Sequence, residues 1–461
     1  MTDTELLRLA LVGVLLLAIL AVAYRPKWLP LVAVLAVAVW LPRGQMQRWN
    51  VYHYWLNTKY FPELGYFDLY DCTAAAAPDM VGNVPARNLA TYQYTAANEL
   101  PGCTQFTSER LAEFQSDLAW LETHGKGPGI EEAIRDKGLN TTPPWLVVSG
   151  IFADSAPGSP LFWLGLHLDT IALAAALLYV AWAVGTMAAA VATISLATWI
   201  GTAGYITGHW LQWIWLAALL VAMAAMRRKH YGLAGGMIAL AAADRIFPGV
   251  LFLWPLLNRR RVPAEFWKAA VAVGVMAVGL GSQTPAGLAI WPEFFSKMAA
   301  HSQAIVSEPG VNIGLRNLAV MVSNPQAAWE TWLAFGAGIV DGRISTSAPA
   351  WTWIPTAVFA ALGGVAIWRR PKMLFGDGLL LIFPAVVLSH YYYAWLALNS
   401  AEASDNELVE LLLINLVTLV LAYYALDFLA AYAVAQLLIL FYLYRRMNKC
   451  LAYRPASLLA A

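Results

Sequence analysis

Charge is what this chain has least of. Its 461 residues include 29 Lys and Arg and 28 Asp and Glu, 12% in all, against a hydrophobic fraction of 60%. An ordinary soluble domain carries roughly 25% charge, so a soluble protein of this length would have too few charges to cover its surface. The few basic residues sit in short clusters beside apolar runs and are not gathered on one polar face, which excludes a nucleic-acid partner. Cysteine is scarce as well: Cys72, Cys103 and Cys450 are the only three. None has the spacing of a zinc or iron–sulfur site. No glycine-rich phosphate loop follows a predicted strand, so a nucleotide-binding domain is not expected, nor a metal or cofactor.

What is present is apolar sequence in long runs. Leu9 to Tyr24, Thr170 to Met226 and Leu411 to Leu426 suit membrane spans better than amphipathic surface helices. The first run lacks a basic leader and a clean cleavage site, and a second run at 28–41 follows, so it reads as a retained helix. By the positive-inside rule, Arg25/Lys27, Arg227 to Lys229, Arg259 to Arg261, Arg369/Arg370/Lys372 and Arg445/Arg446/Lys449 mark cytoplasmic turns. The expected class is an all-α polytopic membrane protein of about 10–13 membrane helices with multi-pass placement in the cell membrane.

Five regions follow: 1–41, 42–160, 161–287, 288–347 and 348–461. Region 42–160 holds 13 of the 28 acidic residues and only 8 basic ones, which suits the extracytoplasmic face. There a Cys72–Cys103 disulfide is allowed, with two free thiols as the alternative. Within it, Leu111, Phe114, Leu118 and Leu121 recur three to four apart, predicting a helix over 107–123 that Gly125 stops. Residues 161–226 contain no Lys or Arg and are long enough for three crossings.

The run 231–257, bounded by basic clusters at both ends, is too short for two full crossings. It reads as a re-entrant hairpin turning at Asp244-Arg245. A span over 266–287, a partly helical outer stretch over 288–347, and spans over 349–368 and 374–394 complete the middle. The last tract, 411–444, breaks the parity of the basic clusters unless it is one long helix or a span plus a short interfacial segment. Trp and Tyr near span ends read as interfacial anchors.

Charges inside apolar runs need partners or a polar cavity, since burying one in mid-membrane costs about 2.5–3.5 kcal/mol. Asp244-Arg245 is either a structural ion pair at the hairpin tip or a grip on a phosphate or lipid head group. Asp169 and His167 either line a polar patch or sit at the interface, and Asp427 interrupts the final tract at a break. The densest polar stretch runs from His53 to Asp71, with Lys59, Glu63, Asp68 and Asp71 within thirteen residues. A carboxylate there can take a proton from an acceptor hydroxyl that attacks a sugar carbon. The phosphate leaving group wants basic donors, and Arg87, the Gly310–Asn317 stretch with Asn312 and Arg316, and Ser389-His390-Tyr391 could supply them.

These residues, together with the segment from Asp244 to Arg261, resemble in order the membrane glycosyltransferases of the C-type superfold. The likeness is greatest to the family 87 polyprenol-phosphate-dependent mannosyltransferase-like proteins, over residues 40 to 400. The resemblance implies inverting transfer of a hexose such as mannose from a polyprenyl-phosphate donor to a lipid or glycan acceptor at the extracytoplasmic face of the lipid membrane. It implies Asp68, two residues before Tyr70, as the base, with Glu63 and Asp71 as neighbouring alternatives. Arg316, His390, Arg245, Lys59 and Arg87 would hold the donor phosphate, and Asn312, Tyr391 and Tyr70 the acceptor or sugar. Arg245 stands one place off the usual basic position, and His390 is followed by three tyrosines. A transporter or flippase of sugars is the competing class.

Overall fold

The computed structural model describes residues 3–24, 26–40, 46–199, 207–258, 262–307, 312–323, 326, 349–370, 375–422 and 428–452, with the backbone alone for Ser389 and His390. Arg25, Arg259 to Arg261, Glu308, Gly310, Val311, Glu330, Lys372 and Asp427 lie outside them.

The described chain is overwhelmingly helical. Four stretches are long and apolar enough to cross a membrane, at Leu6–Tyr24, Pro160–Ala183, Ala264–Gly281 and Ala350–Arg369, and shorter apolar helices pack between them. This is the make-up of a polytopic membrane helix bundle.

Helices α1 (Asp3–Tyr24) and α2 (Leu29–Trp40) open the chain. A hydrophilic region follows. It contains a helical run over 48–59 that loosens to a π turn at Tyr52–Leu56, strands β1 (Pro85–Arg87) and β2 (Tyr94–Ala96) paired antiparallel, α3 (Ser108–His124) and α4 (Pro143–Ala153). It has its own apolar core, built on Trp55, Tyr60, Tyr70, Phe114, Leu118 and Leu121. A disulfide between Cys72 and Cys103 clasps it. Helix α3 starts where Thr107 accepts from the Arg110 amide (3.3 Å) and ends before Gly125. That glycine is required for closeness, not for handedness: its φ is −73°, but a Cβ there would lie 2.7 Å from the Arg48 Cβ.

Three helices fill the stretch without Lys or Arg: α5 (Pro160–Ala183), α6 (Thr186–Thr198) and α7 (Ile214–Arg227). Asp169, buried near the start of α5, accepts from the Gln212 and Trp213 amides (2.5 and 2.9 Å) ahead of α7. At the other end Arg228 donates to the Trp182 carbonyl (2.7 Å). Like ends therefore meet like ends, so α5 and α7 run parallel and α6 returns between them.

Helix α8 (Tyr231–Asp244) breaks at Arg245, whose backbone is extended, and the chain continues through a 3-10 turn at Phe247–Phe252 and a short helix at Leu253–Leu257. Gly232 faces Glu265 and Ala269, while Gly236 faces Ala269 and Val273 of α9 (Ala264–Gly281), so α8 and α9 also run parallel and the chain between them must double back. The pair is packed backbone to backbone: a Cβ on Gly235 would fall 2.1 Å from the Phe266 carbonyl oxygen.

Helix α10 (Ile290–Ser307) lies against the hydrophilic region, burying Ile290 and Phe294 in that core. Strand β3 (Asn312–Ile313), α11 (Leu315–Ser323) and α12 (Trp353–Arg369) follow.

Two expectations are corrected beyond α12. Residues 374–394 do not form a span. They enter as a 3-10 turn (Phe375–Gly378) and the seven-residue α13 (Leu379–Ala385), pair β4 (Leu388–Ser389) with β3, and return as a 3-10 helix, His390–Ala401. Glu402 closes the loop by accepting from the Phe375 and Gly376 amides (2.9 and 2.6 Å). Pro384 ends the helical turn, since it has no amide proton to give. The tract 411–444 is neither one helix nor a span plus a fragment. It is a hairpin of α14 (Asp405–Val420) and α15 (Phe428–Leu451), whose antiparallel sense is fixed by Lys449–Glu407 (3.1 Å) and Arg445–Glu410 ion pairs. Asp377 pairs with both Arg370 (2.9 Å) and Arg446 (3.1 Å). The two basic clusters thus share one end of the bundle, and the parity conflict disappears.

Candidate active site

The hydrophilic region meets the bundle at the broken tip of α8. Thr142, just ahead of α4, donates its hydroxyl to the Ala243 carbonyl, and Asp244 accepts from the Trp215 amide (2.8 Å). Between these anchors the Arg245 side chain is held in aromatic surroundings. Its guanidinium carbon is 5.3 Å from the Tyr54 ring and 5.6 Å from the Trp145 ring, and its Nε donates to the Tyr392 hydroxyl (3.2 Å). Only 3% of Arg245 is exposed, yet its Nη2 has no hydrogen-bond partner. A buried guanidinium nitrogen left unpaired is costly, so this donor is one that an oxyanion could satisfy.

A carboxylate of the hydrophilic region acts on residues around this arginine. Asp136, in the loop after the short helix Ile130–Ala133, acts electrostatically on Tyr54, His53, Tyr70, Tyr391 and Lys297. No hydrogen bond or ion pair engages its carboxylate among the described residues. Tyr54 links the two charges: its ring lies beside Arg245, and its hydroxyl donates to Asn140 Oδ1 (3.0 Å), four residues beyond Asp136. The π turn at Tyr52–Leu56 carries both His53 and Tyr54, and such turns recur at functional sites. Burial pushes the His53 pKa down. The neutral ring donates from Nδ1 to the Trp49 carbonyl (2.7 Å), which leaves Nε2 to accept from Tyr70 (2.7 Å).

The residues singled out from sequence divide between this seam and other places. Arg245 and Tyr391 line it; Tyr70 stands behind His53 and accepts from the Gly138 amide (3.0 Å). Asn312 is paired in register with Ser389, immediately before His390. Asp68 and Asp71 are elsewhere, beside the disulfide: Asp68 accepts from Gln105 (2.9 Å), and no basic side chain among the described residues bonds to either. Burial followed by the charge of Asp68 raises the Asp71 pKa to about 6. Glu63 is bound by Arg110 (2.8 Å), and Lys59 is buried between Asp117 (2.6 Å) and Glu113 (2.8 Å). These are structural pairs within the hydrophilic core. Arg87 is buried, donating to the Arg135 carbonyl (3.0 Å) and to Tyr94 (2.5 Å). Arg316 stacks on Trp353 with 3.8 Å to the ring centre.

Sequence reasoning passed over Asp136 and Lys297. Asp136 sits in Arg135-Asp136-Lys137-Gly138, a string that reads as a solvated turn. Lys297 left a usable signal, because Ile290, Phe294, Lys297 and His301 fall on one face of a helix, and that face is the buried one. Among the described residues no group of three or more His, Cys, Asp or Glu side chains could hold a metal ion. No family model, curated protein or solved structure matches this chain.

Proposed function

We propose that the chain is a C-type membrane glycosyltransferase that moves a hexose from a polyprenyl-phosphate carrier to a lipid or glycan acceptor at the extracytoplasmic face. The observation that carries this reading is a buried arginine with an unsatisfied Nη2 set beside Tyr54, a residue on which Asp136, without a bonding partner among the described residues, also acts. The aromatic side chains of Tyr54, Trp145 and Tyr391 lie around them, surfaces suited to a sugar. Asp136 replaces Asp68 as the proposed base, since Asp68 lies beside the disulfide and is bonded to Gln105.

In this mechanism Asp136 takes the proton of the acceptor hydroxyl as its oxygen bonds to the anomeric carbon. The bond from that carbon to the phosphate oxygen breaks with inversion. The departing polyprenyl phosphate gains charge that the Arg245 guanidinium stabilises, with Tyr392 beside it. A carrier tail lying in lipid explains why the phosphate grip sits at a helix break inside an apolar bundle. The Cys72–Cys103 bond supports the extracytoplasmic orientation, because disulfides persist in oxidising compartments. The decisive experiment is transfer of a labelled hexose from polyprenyl phosphate by the purified protein in lipid. Absence of transfer with every hexose and acceptor tried, together with uptake of free sugar into sealed vesicles, would favour a carrier instead.

A further inference from the structure

Asp136 acts on a second unsatisfied cation. Lys297, from α10, is 0% exposed, and its Nζ has no hydrogen-bond partner. No described carboxylate stands within ion-pair distance of it. Its ammonium is set over the Tyr92 ring (4.8 Å to the centre) and the Phe67 ring (5.4 Å). These contacts supply cation–π attraction but leave the three N–H groups unused.

The surroundings add positive charge. Arg87 acts on Lys297, and Arg87, Lys137 and Lys297 all act on His301, one turn further along α10. The His301 ring is held by Tyr92 (3.3 Å), whose hydroxyl also donates to the Lys137 carbonyl (3.1 Å). The only described carboxylate that acts on Lys297 is Asp136. Gly138 borders the ammonium with φ +66°, and a Cβ there would sit 3.4 Å from Nζ. Leu89 covers that side as well, its two methyl carbons lying 2.8 and 2.9 Å from the same Cβ position.

We infer that Lys297 is the centre of an anion pocket, distinct from the Arg245 grip, that receives a carboxylate or phosphate carried by the acceptor. Burial pushes the Lys297 pKa down to about 7, and an oxyanion bound at this unpartnered Nζ would hold it charged. The aromatic faces of Tyr92 and Phe67 suit the sugar that bears it. Asp136 acts on Lys297 and on Tyr54, whose ring lies beside Arg245, so an acceptor anchored at Lys297 would present its hydroxyl to the base while the donor phosphate rests on Arg245. That the anion belongs to an acceptor rests on the proposed sugar transfer; the pocket itself does not.

The test is equilibrium binding to the full chain in lipid nanodiscs, with glucuronate, inorganic phosphate, glucose and polyprenyl phosphate as separate probes. The wild type is expected to bind glucuronate or phosphate at least tenfold more tightly than glucose. Lys297→Met, close in shape and uncharged, is expected to lose that preference at least tenfold while keeping the wild-type affinity for polyprenyl phosphate. Its melting temperature should equal or exceed that of wild type, and Lys297→Gln provides the same comparison if the Met variant does not fold. Equal anion binding in wild type and variant, or none in wild type, overturns the pocket. Loss of polyprenyl phosphate binding in Lys297→Met overturns it too, by assigning the lysine to the donor. Unchanged polyprenyl phosphate affinity in Arg245→Met, with anion binding lost in Lys297→Met, would defeat the donor grip and leave the pocket standing.

Discussion

The Arg245 guanidinium lies 5.3 Å from the ring of Tyr54, which joins the broken tip of a bundle helix to the first turn of the hydrophilic region. Neither partner is held by its own element alone: Arg245 also reaches Tyr392 (3.2 Å), and Tyr54 also reaches Asn140 (3.0 Å). A phosphate gripped here would touch three separate parts of the chain. Arg245→Met is expected to lower polyprenyl phosphate affinity at least tenfold, and Arg245→Lys to recover part of it, since an ammonium keeps the charge but not the fork geometry. Titration of both variants in nanodiscs checks this.

Asp169 tests the bundle. Its two carboxylate oxygens satisfy the Gln212 and Trp213 amides at 2.5 and 2.9 Å. Asp169→Asn exchanges one acceptor for a donor and leaves one of those amides unpaired in a buried setting, at a cost of about 1–3 kcal/mol. A lower melting temperature is the expected outcome, with the fold otherwise retained.

The Cys72–Cys103 bond closes a loop of sequence separation 31. Loop-closure entropy puts its contribution at about 3–4 kcal/mol. The Cys72→Ala, Cys103→Ala double variant should unfold the hydrophilic region at correspondingly lower denaturant. In intact cells, wild-type protein should resist thiol labelling at both positions until reduced, and then react with a membrane-impermeant reagent.

Asp71 gives a pH signature. Burial, then the charge of Asp68, raises its pKa from 3.8 to about 6. The native state therefore holds this proton more tightly than the unfolded chain does. The stabilisation is complete below about pH 4 and is lost as pH rises through 6, at about 2–3 kcal/mol over the window. Asp71→Asn should flatten that part of the stability profile and be the more stable protein at pH 8, as urea melts at pH 4, 6 and 8 would reveal.

Much of the bundle was legible in the sequence because long apolar runs allow few alternatives. The helix over 107–123, the three helices between 160 and 227, and a break at Asp244-Arg245 all lie where hydropathy and charge put them. The segment 374–401 was not legible. Its composition is that of a span, and only Pro384 and Ser389-His390 hint that the chain turns back; the closing Glu402 contacts are tertiary. The site was half legible for a similar reason. Arg245 stands out as a charge in an apolar run, whereas Asp136 is one of 13 acids in a polar region. What distinguishes Asp136 is its action on Tyr54, Tyr391 and Lys297, a property of packing.

The measurement that bears most directly on the account is single-turnover hexose transfer from a polyprenyl-phosphate donor by purified wild type, Asp136→Asn and Asp68→Asn. An amide cannot take a proton at neutral pH, so Asp136→Asn is expected to slow the chemical step by at least roughly 10²-fold, with donor affinity and melting temperature close to wild type. Asp68→Asn should transfer at nearly the wild-type rate. Wild-type transfer in Asp136→Asn, with collapse in Asp68→Asn, would contradict the account and return the base to the loop beside the disulfide.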